Sequence, residues 1–89
     1  MEFEYDKNKN NLNKQKHSIS FVEAQLLWSD KNALIVFAKR IENEVRYAII
    51  STLKHKCFVA IFTVRQGKYR IISVRRCRKN EEKDYENHC

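Results

Sequence analysis

The chain has 89 residues and a formal charge of +7, from 18 lysines and arginines against 11 aspartates and glutamates. Its 43% hydrophobic share argues against wholesale disorder, and one glycine with no proline excludes a collagen-like chain and disfavours a turn-rich sandwich. The length predicts one domain over residues 1–89, and the basic balance points to a polyanion, either nucleic acid or an acidic protein, unless it serves solubility alone.

The first segment, Phe3 to Lys16, is polar and rich in Asn and Lys. Composition slightly favours a disordered basic arm, because Asn is a poor helix former. The other reading is a solvated helix capped by Asp6, with Leu12 and Tyr5 or Phe3 touching a core. The next stretch, "SFVEAQLLW", is clearer. Ser20 stands three residues before Glu23, the capping-box spacing, and Phe21, Ala24, Leu27 and Trp28 recur on one helical face. A short helix from Phe21 to Trp28 is expected, then a turn at "SDKN".

The period then changes. "ALIVF", "VRYAII", "CFVAIFTV" and "YRIISV" are short, β-branched and aromatic, and each is bounded by polar residues. They predict four strands, with Gly67 in a tight hairpin between the last two. Short links favour an antiparallel meander. The tail "KNEEKDYEN" predicts a final helix capped by Asn80, with Tyr85 as its one large apolar contact. The fold class is therefore α+β: two N-terminal helices, a four-stranded antiparallel meander and a short C-terminal helix. Both faces of the third strand are apolar, so the second face needs cover from the last helix or from a partner.

Between Val64 and Lys79 lie seven basic residues and no acidic one: Arg65, Lys68, Arg70, Arg75, Arg76, Arg78 and Lys79. Regular alternation would put Tyr69, Ser73 and Arg75 on one face of their strand, and Arg70 and Arg76 on the other. Guanidinium groups suit phosphate because they offer a bidentate fork. Tyr69, Tyr47 and Trp28 are aromatic enough to stack bases or to fill a core. The bland reading of the cluster is an edge strand guarded by charge.

Cys57, Cys77 and Cys89 include no Cys-x-x-Cys pair and are read as reduced thiols in a cytoplasmic protein. The charged N-terminus lacks a signal peptide's apolar stretch, and no apolar run is long enough to span a bilayer. Neither HxH nor HExxH occurs, so no metal site is expected. His55 and His88 read as surface residues. His17 is either favoured by a helix C-terminus or poised as a general acid or base. Were this an enzyme, metal-independent RNA cleavage fits best: the substrate's 2′-OH attacks the adjacent phosphate, and the protein supplies a base, an acid and cationic stabilisation.

Several pieces, in order, resemble the BrnT-type toxins of type II toxin–antitoxin modules, a variant of the RelE-type ribonuclease fold. They are Tyr5, Asp6, Lys9, Asn13, Lys16, His17 and Phe21; Glu44 with Arg46; Thr63 with Arg65; and Arg70 to Arg75 with Glu81 and Tyr85. The resemblance spans nearly the whole chain and implies that the polar first segment is a helix. It implies a ribonuclease that halts translation and is neutralised by a DNA-binding BrnA-like antitoxin. The pair would form a heterotetramer that reaches operator DNA through the antitoxin. Three positions depart from the pattern: Ser18 replaces a glycine after His17, Tyr5 a tryptophan, and Arg78 a hydroxyl residue at the start of the last helix. On this reading His17 is the acid or base, and Arg46, Arg65 and Arg75 hold the scissile phosphate. Lys16, Arg70, Arg76 and Tyr69 bind RNA, and no cofactor, metal or membrane is called for. The competing reading is a non-catalytic module that binds RNA or an acidic partner and acts as a co-repressor.

Overall fold

The computed structural model describes residues 2–88, so the expectation for Cys89 lies outside it. The fold is α+β, with three α-helices and a five-stranded mixed sheet among the described residues. In chain order the elements are β1 (Glu2–Glu4), α1 (Lys7–His17), α2 (Phe21–Ala24) with a 3-10 turn (Gln25–Ser29), β2 (Leu34–Ile41), β3 (Glu44–Leu53), β4 (Lys56–Arg65), β5 (Lys68–Arg76) and α3 (Lys79–His88). The sheet order is β1-β5-β4-β3-β2. The last four strands form the expected antiparallel meander, whereas β1 pairs parallel to β5 and makes the sheet mixed. Among the described residues no helix is long and apolar enough to cross a membrane.

The polar first segment is ordered, against its composition. Asp6 caps α1 by accepting from the N–H groups of Asn8 (2.8 Å) and Lys9 (3.1 Å). Two asparagines, three residues apart on one helical face, then tie the helix to the body. The Asn10 side-chain oxygen accepts from Phe21 N–H at 2.7 Å. The buried Asn13 amide donates to the carbonyls of Val74 and Ile19, both at 2.9 Å, and accepts from Val74 N–H at 3.1 Å. Asn13 thus occupies the β5 edge where a further strand would pair. Leu12, expected to touch a core, is 64% exposed.

The Ser20–Glu23 capping box forms as the spacing predicts. The helix it starts tightens into a 3-10 turn after Ala24 rather than running on to Trp28. Ile19, Phe21, Ala24 and Leu27 pack on the inner face of the sheet against Ile49, Phe58, Ala60, Phe62, Ile71 and Val74. In the last hairpin Gln66 (φ 50°) and Gly67 (φ 74°) both lie in the left-handed region that a two-residue type I′ loop requires.

The strands of that hairpin break step at one residue. Arg65 pairs with Lys68 and Phe62 with Ile71, but Ile61 pairs with Ser73, so Ile72 is the extra residue of a β-bulge. A bulge reverses the alternation beyond it. Arg70, Ser73 and Arg75 therefore share the outer face of the sheet. Tyr69, Ile71 and Val74 share the inner one, with Arg76 opposite Phe58. The expected grouping of Arg70 with Arg76, and of Tyr69 with Arg75, is corrected accordingly.

The same shift sets Cys77 beside Cys57, whose carbonyl accepts from Cys77 N–H at 3.0 Å. The two form a disulfide with Cα atoms 5.4 Å apart, so these cysteines are not the reduced thiols expected. Just beyond, Arg78 rather than Asn80 starts α3. Its carbonyl accepts from Glu81 and Glu82 N–H, and its own N–H donates to Glu81 at 2.7 Å.

Candidate functional site

The paired register lays out the outer face row by row. Residues paired across strands share a face, and its two halves differ. At one end Leu34, Ile50, Val59 and Arg75 form a row, then Val36, Ala48, Ile61 and Ser73. The helix α3 covers this apolar half: Tyr85 and the disulfide pack against Ala48, Ile50 and Val59. Cover by the last helix was one of the two alternatives left open by the strand pattern. Towards the hairpins the character changes. Lys39 pairs with Arg46, and Thr63 with Arg70, which in turn faces Glu4. Beyond them Arg65 pairs with Lys68, and Lys68 with Glu2. No helix packs over these rows among the described residues. The bulge puts Arg70, Ser73 and Arg75 on this one face of β5, Arg70 in the open rows and Ser73 and Arg75 in the rows beside α3.

Arg46, Arg65, Arg70 and Arg75 each stand against a carboxylate. Arg65 donates from Nε (2.8 Å) and Nη2 (2.6 Å) to Glu44, and Arg46 Nε stands 3.5 Å from the other Glu44 oxygen. Arg65 chiefly holds the Glu44 carboxyl below its usual range, outweighing the opposing effect of burial, and Arg46 adds to it. The Arg46 Nε contact has the separation of an ion pair, yet this buried nitrogen makes no hydrogen bond. Arg70 reaches Glu4 at 3.2 Å. Arg75 grips Glu81 with two bonds of 2.8 and 2.9 Å, which raises the guanidinium and lowers the carboxyl from their ordinary values. Arg46 and Arg65 line one shallow depression with Glu44 and Asn43; Arg75 stands apart from it, at the start of α3.

His17 approaches from the side. Lys9, Asn13, Lys16 and His17 fall on one stripe of α1, and Asn13 is pinned to Val74. That pin sets His17 and Lys16 beside Ile72 and Ser73, with which they line a depression at the β5 edge. The structure thus brings His17 to the strand that carries Arg70 and Arg75, but not into the Arg46–Arg65 depression. Ser18 ends α1 in the left-handed conformation (φ 60°, ψ 22°), its N–H donating to Lys14 O at 2.9 Å. The conformation accounts for a glycine at that position in the resembled pattern.

Tyr69 and Arg76 lie elsewhere. Tyr69 stacks on Trp28 (5.4 Å between centroids) and meets Phe62 edge-on, within the inner aromatic cluster. The Arg76 guanidinium lies 5.6 Å from the Phe58 ring, and its Nε donates to Cys57 O. Asn13 and Asp30 are the residues that spacing did not single out as functional. Asp30 accepts from Tyr85 (2.6 Å), Ser51 (3.0 Å), Thr52 N–H (3.2 Å) and Asn32 N–H (2.9 Å). Burial alone would raise this carboxyl, but those bonds outweigh it and hold the value at about 2. Asp30 thereby fastens α3 to the sheet. Among the described residues, no group of three His, Cys, Asp or Glu side chains stands where it could hold a metal ion.

No curated protein matches the chain closely enough to serve as a relative. The family comparison is decisive. Residues 5–81, from the aromatic before the α1 cap to the glutamate that grips Arg75, match the model described as the ribonuclease toxin, BrnT, of type II toxin–antitoxin systems, and the chain belongs to that family.

Proposed function

We propose that this chain is a cytoplasmic endoribonuclease that cleaves RNA without a metal and halts translation. The observation that carries the reading is the bulge at Ile72. It turns Arg70, Ser73 and Arg75 onto the same outer face as Arg46 and Arg65, with Arg75 at the foot of α3, while Asn13 holds His17 at that face's margin. A phosphodiester laid along β5 meets guanidinium groups from Arg70 to Arg75 and an imidazole from the α1 side. His17 takes the proton from the 2′-OH or returns one to the leaving 5′-oxygen. Arg46, Arg65 and Arg75 bind the phosphate and stabilise the charge that develops on it, with Lys16 and Arg70 as flanking contacts. Tyr69 and Arg76, on the other face, stand outside this path. A BrnA-like antitoxin neutralises the toxin, and the heterotetramer reaches operator DNA through it.

Purified protein and short RNA in EDTA test the chemistry. The expected products carry 2′,3′-cyclic phosphate ends, and His17→Ala slows cleavage by about 10²- to 10⁴-fold, the usual worth of a general acid or base. Unchanged cleavage by His17→Ala and Arg75→Ala would remove the site assignment. A wild type that neither cleaves RNA nor slows growth when expressed alone would remove the enzyme. One observation favours the second reading, a non-catalytic co-repressor: Glu44, Glu4 and Glu81 already neutralise the arginines that cleavage needs.

A further inference from the structure

The two edges of the sheet are finished differently. The β5 edge is closed by β1 over Lys68, Tyr69 and Arg70, and by the Asn13 amide at Val74. At the other edge β2 is the last strand, and nothing pairs with its outer side among the described residues. It runs for eight residues, all exposed except the half-buried Leu34. Ile35 (49% exposed) and Phe37 (62%) stand on the inner side, and Val36 and Ile41 on the outer. A long apolar edge of this kind invites another strand, and natural proteins rarely leave one bare. From Ile35 a groove of about 190 Å³ continues inward along Tyr47, Phe62, Val64 and Tyr69.

We propose that the free edge of β2 receives an extended, acidic and apolar segment of the antitoxin as a sixth strand of the sheet. This rests on the toxin–antitoxin reading and gives that partner a place. An extended segment fits because β2 offers unpaired backbone groups together with apolar side chains on both faces. A helix would meet one face and leave the backbone edge uncovered. An acidic partner fits because Lys31 to Ile41 contains three cations, Lys31, Lys39 and Arg40, and no carboxylate, in a chain of charge +7. A second copy fits worse. Antiparallel pairing centred on Leu34–Phe37 would set Arg40 of one copy opposite Lys31 of the other, twice, between two strongly basic bodies.

The test uses the full chain and the protein encoded by the adjoining reading frame. Hydrogen exchange of the free toxin and the complex is compared, and affinity is measured for wild type and Phe37→Lys. In the expected result, amides of Leu34 to Arg40 exchange at least 10-fold more slowly in the complex. Phe37→Lys then weakens the complex by 10-fold or more while RNA cleavage by the free toxin is unchanged. A complex that protects other segments and tolerates Phe37→Lys overturns the placement and leaves the antitoxin reading standing. Protection of β2 in the toxin alone, rising with its concentration, overturns the proposal in favour of a second copy. If no complex forms, both the placement and the antitoxin reading fall.

Discussion

The two halves of the outer sheet face are built by the same strands, yet they are finished in opposite ways. Under α3 the strands present Ile50, Val59 and Ala48, and three separate fasteners hold the helix over them: the disulfide, the Asp30–Tyr85 bond and the Arg75–Glu81 pair. Towards the hairpins they present Lys39, Arg46, Arg65, Lys68 and Arg70, and among the described residues no helix covers them. Apolar area buried under a helix returns stability, whereas a row of cations returns little and costs mutual repulsion. On the proposed reading the open half serves RNA binding rather than folding. Substitutions in the closed half should therefore move stability, and those in the open half RNA binding.

The disulfide should give the largest change. It closes a loop of 20 residues, which restricts the unfolded chain by about 3 kcal/mol. Cys57→Ser, or reduction of the wild type, should lower stability by roughly that amount in urea unfolding. RNA affinity at a temperature where the protein stays folded should be unchanged. A fall in affinity as large as the fall in stability would mean that α3 also shapes the open half.

Asp30 comes next. Its carboxyl is ordinarily near 3.8 and is held at about 2 in the fold. A depressed folded value means that this contribution is present above about pH 4 and is lost as pH falls through 2. Asp30→Asn should therefore cost about 1–2 kcal/mol at neutral pH, the partial exposure of the cluster trimming the value. The gap between wild type and variant should narrow between pH 4 and 2. A gap that stays constant to pH 2 would show that Asp30 is not the fastener.

In the open half the expected order reverses. Arg46→Ala and Arg70→Ala remove ion pairs that are at most partly buried and should shift stability by less than about 1 kcal/mol. Each should reduce the slope of log affinity for single-stranded RNA against log salt by about 0.7, the signature of one lost phosphate contact. Arg76→Ala, on the other face, should leave that slope alone. Equal effects of Arg70 and Arg76 would count against the division into faces.

Much of this was legible in the sequence because it depends on local chemistry. The Ser20–Glu23 box, the Asp6 cap, the four long strands and the Gln66–Gly67 loop come from residue type and short spacing. What depends on register was not legible. Straight alternation from the hairpin puts Cys57 opposite Arg76 and sends Ser73 and Arg75 inward; one extra residue at Ile72 brings Cys77 to Cys57 and turns Ser73 and Arg75 outward with Arg70. Nothing in "YRIISVRR" marks where a bulge will fall, although two cysteines one step out of register across a hairpin are a hint. Asn13 was illegible for a related reason. Its worth is a pair of backbone groups 61 residues away, and composition counts it only as a poor helix former. The candidate site was legible as a set of residue types, but not as a surface.

The smallest expected effect lies at the rim of the open half. Ser18 ends α1 at φ 60°, where a side chain is disfavoured and glycine is not. Ser18→Gly should relieve that strain, while the looser unfolded chain offsets part of the gain, leaving about 0.5–1 kcal/mol of stabilisation. The neighbouring residue makes this more than a stability test. His17 is placed from one side by the Asn13 pin and from the other by the turn through Ser18. If Asn13 alone sets the imidazole, Ser18→Gly raises the unfolding midpoint and leaves the cleavage rate and its pH profile unchanged. If the turn also sets it, rate and profile move together with the midpoint. The second outcome would assign the position after His17 to the site's geometry, and not only to the end of a helix.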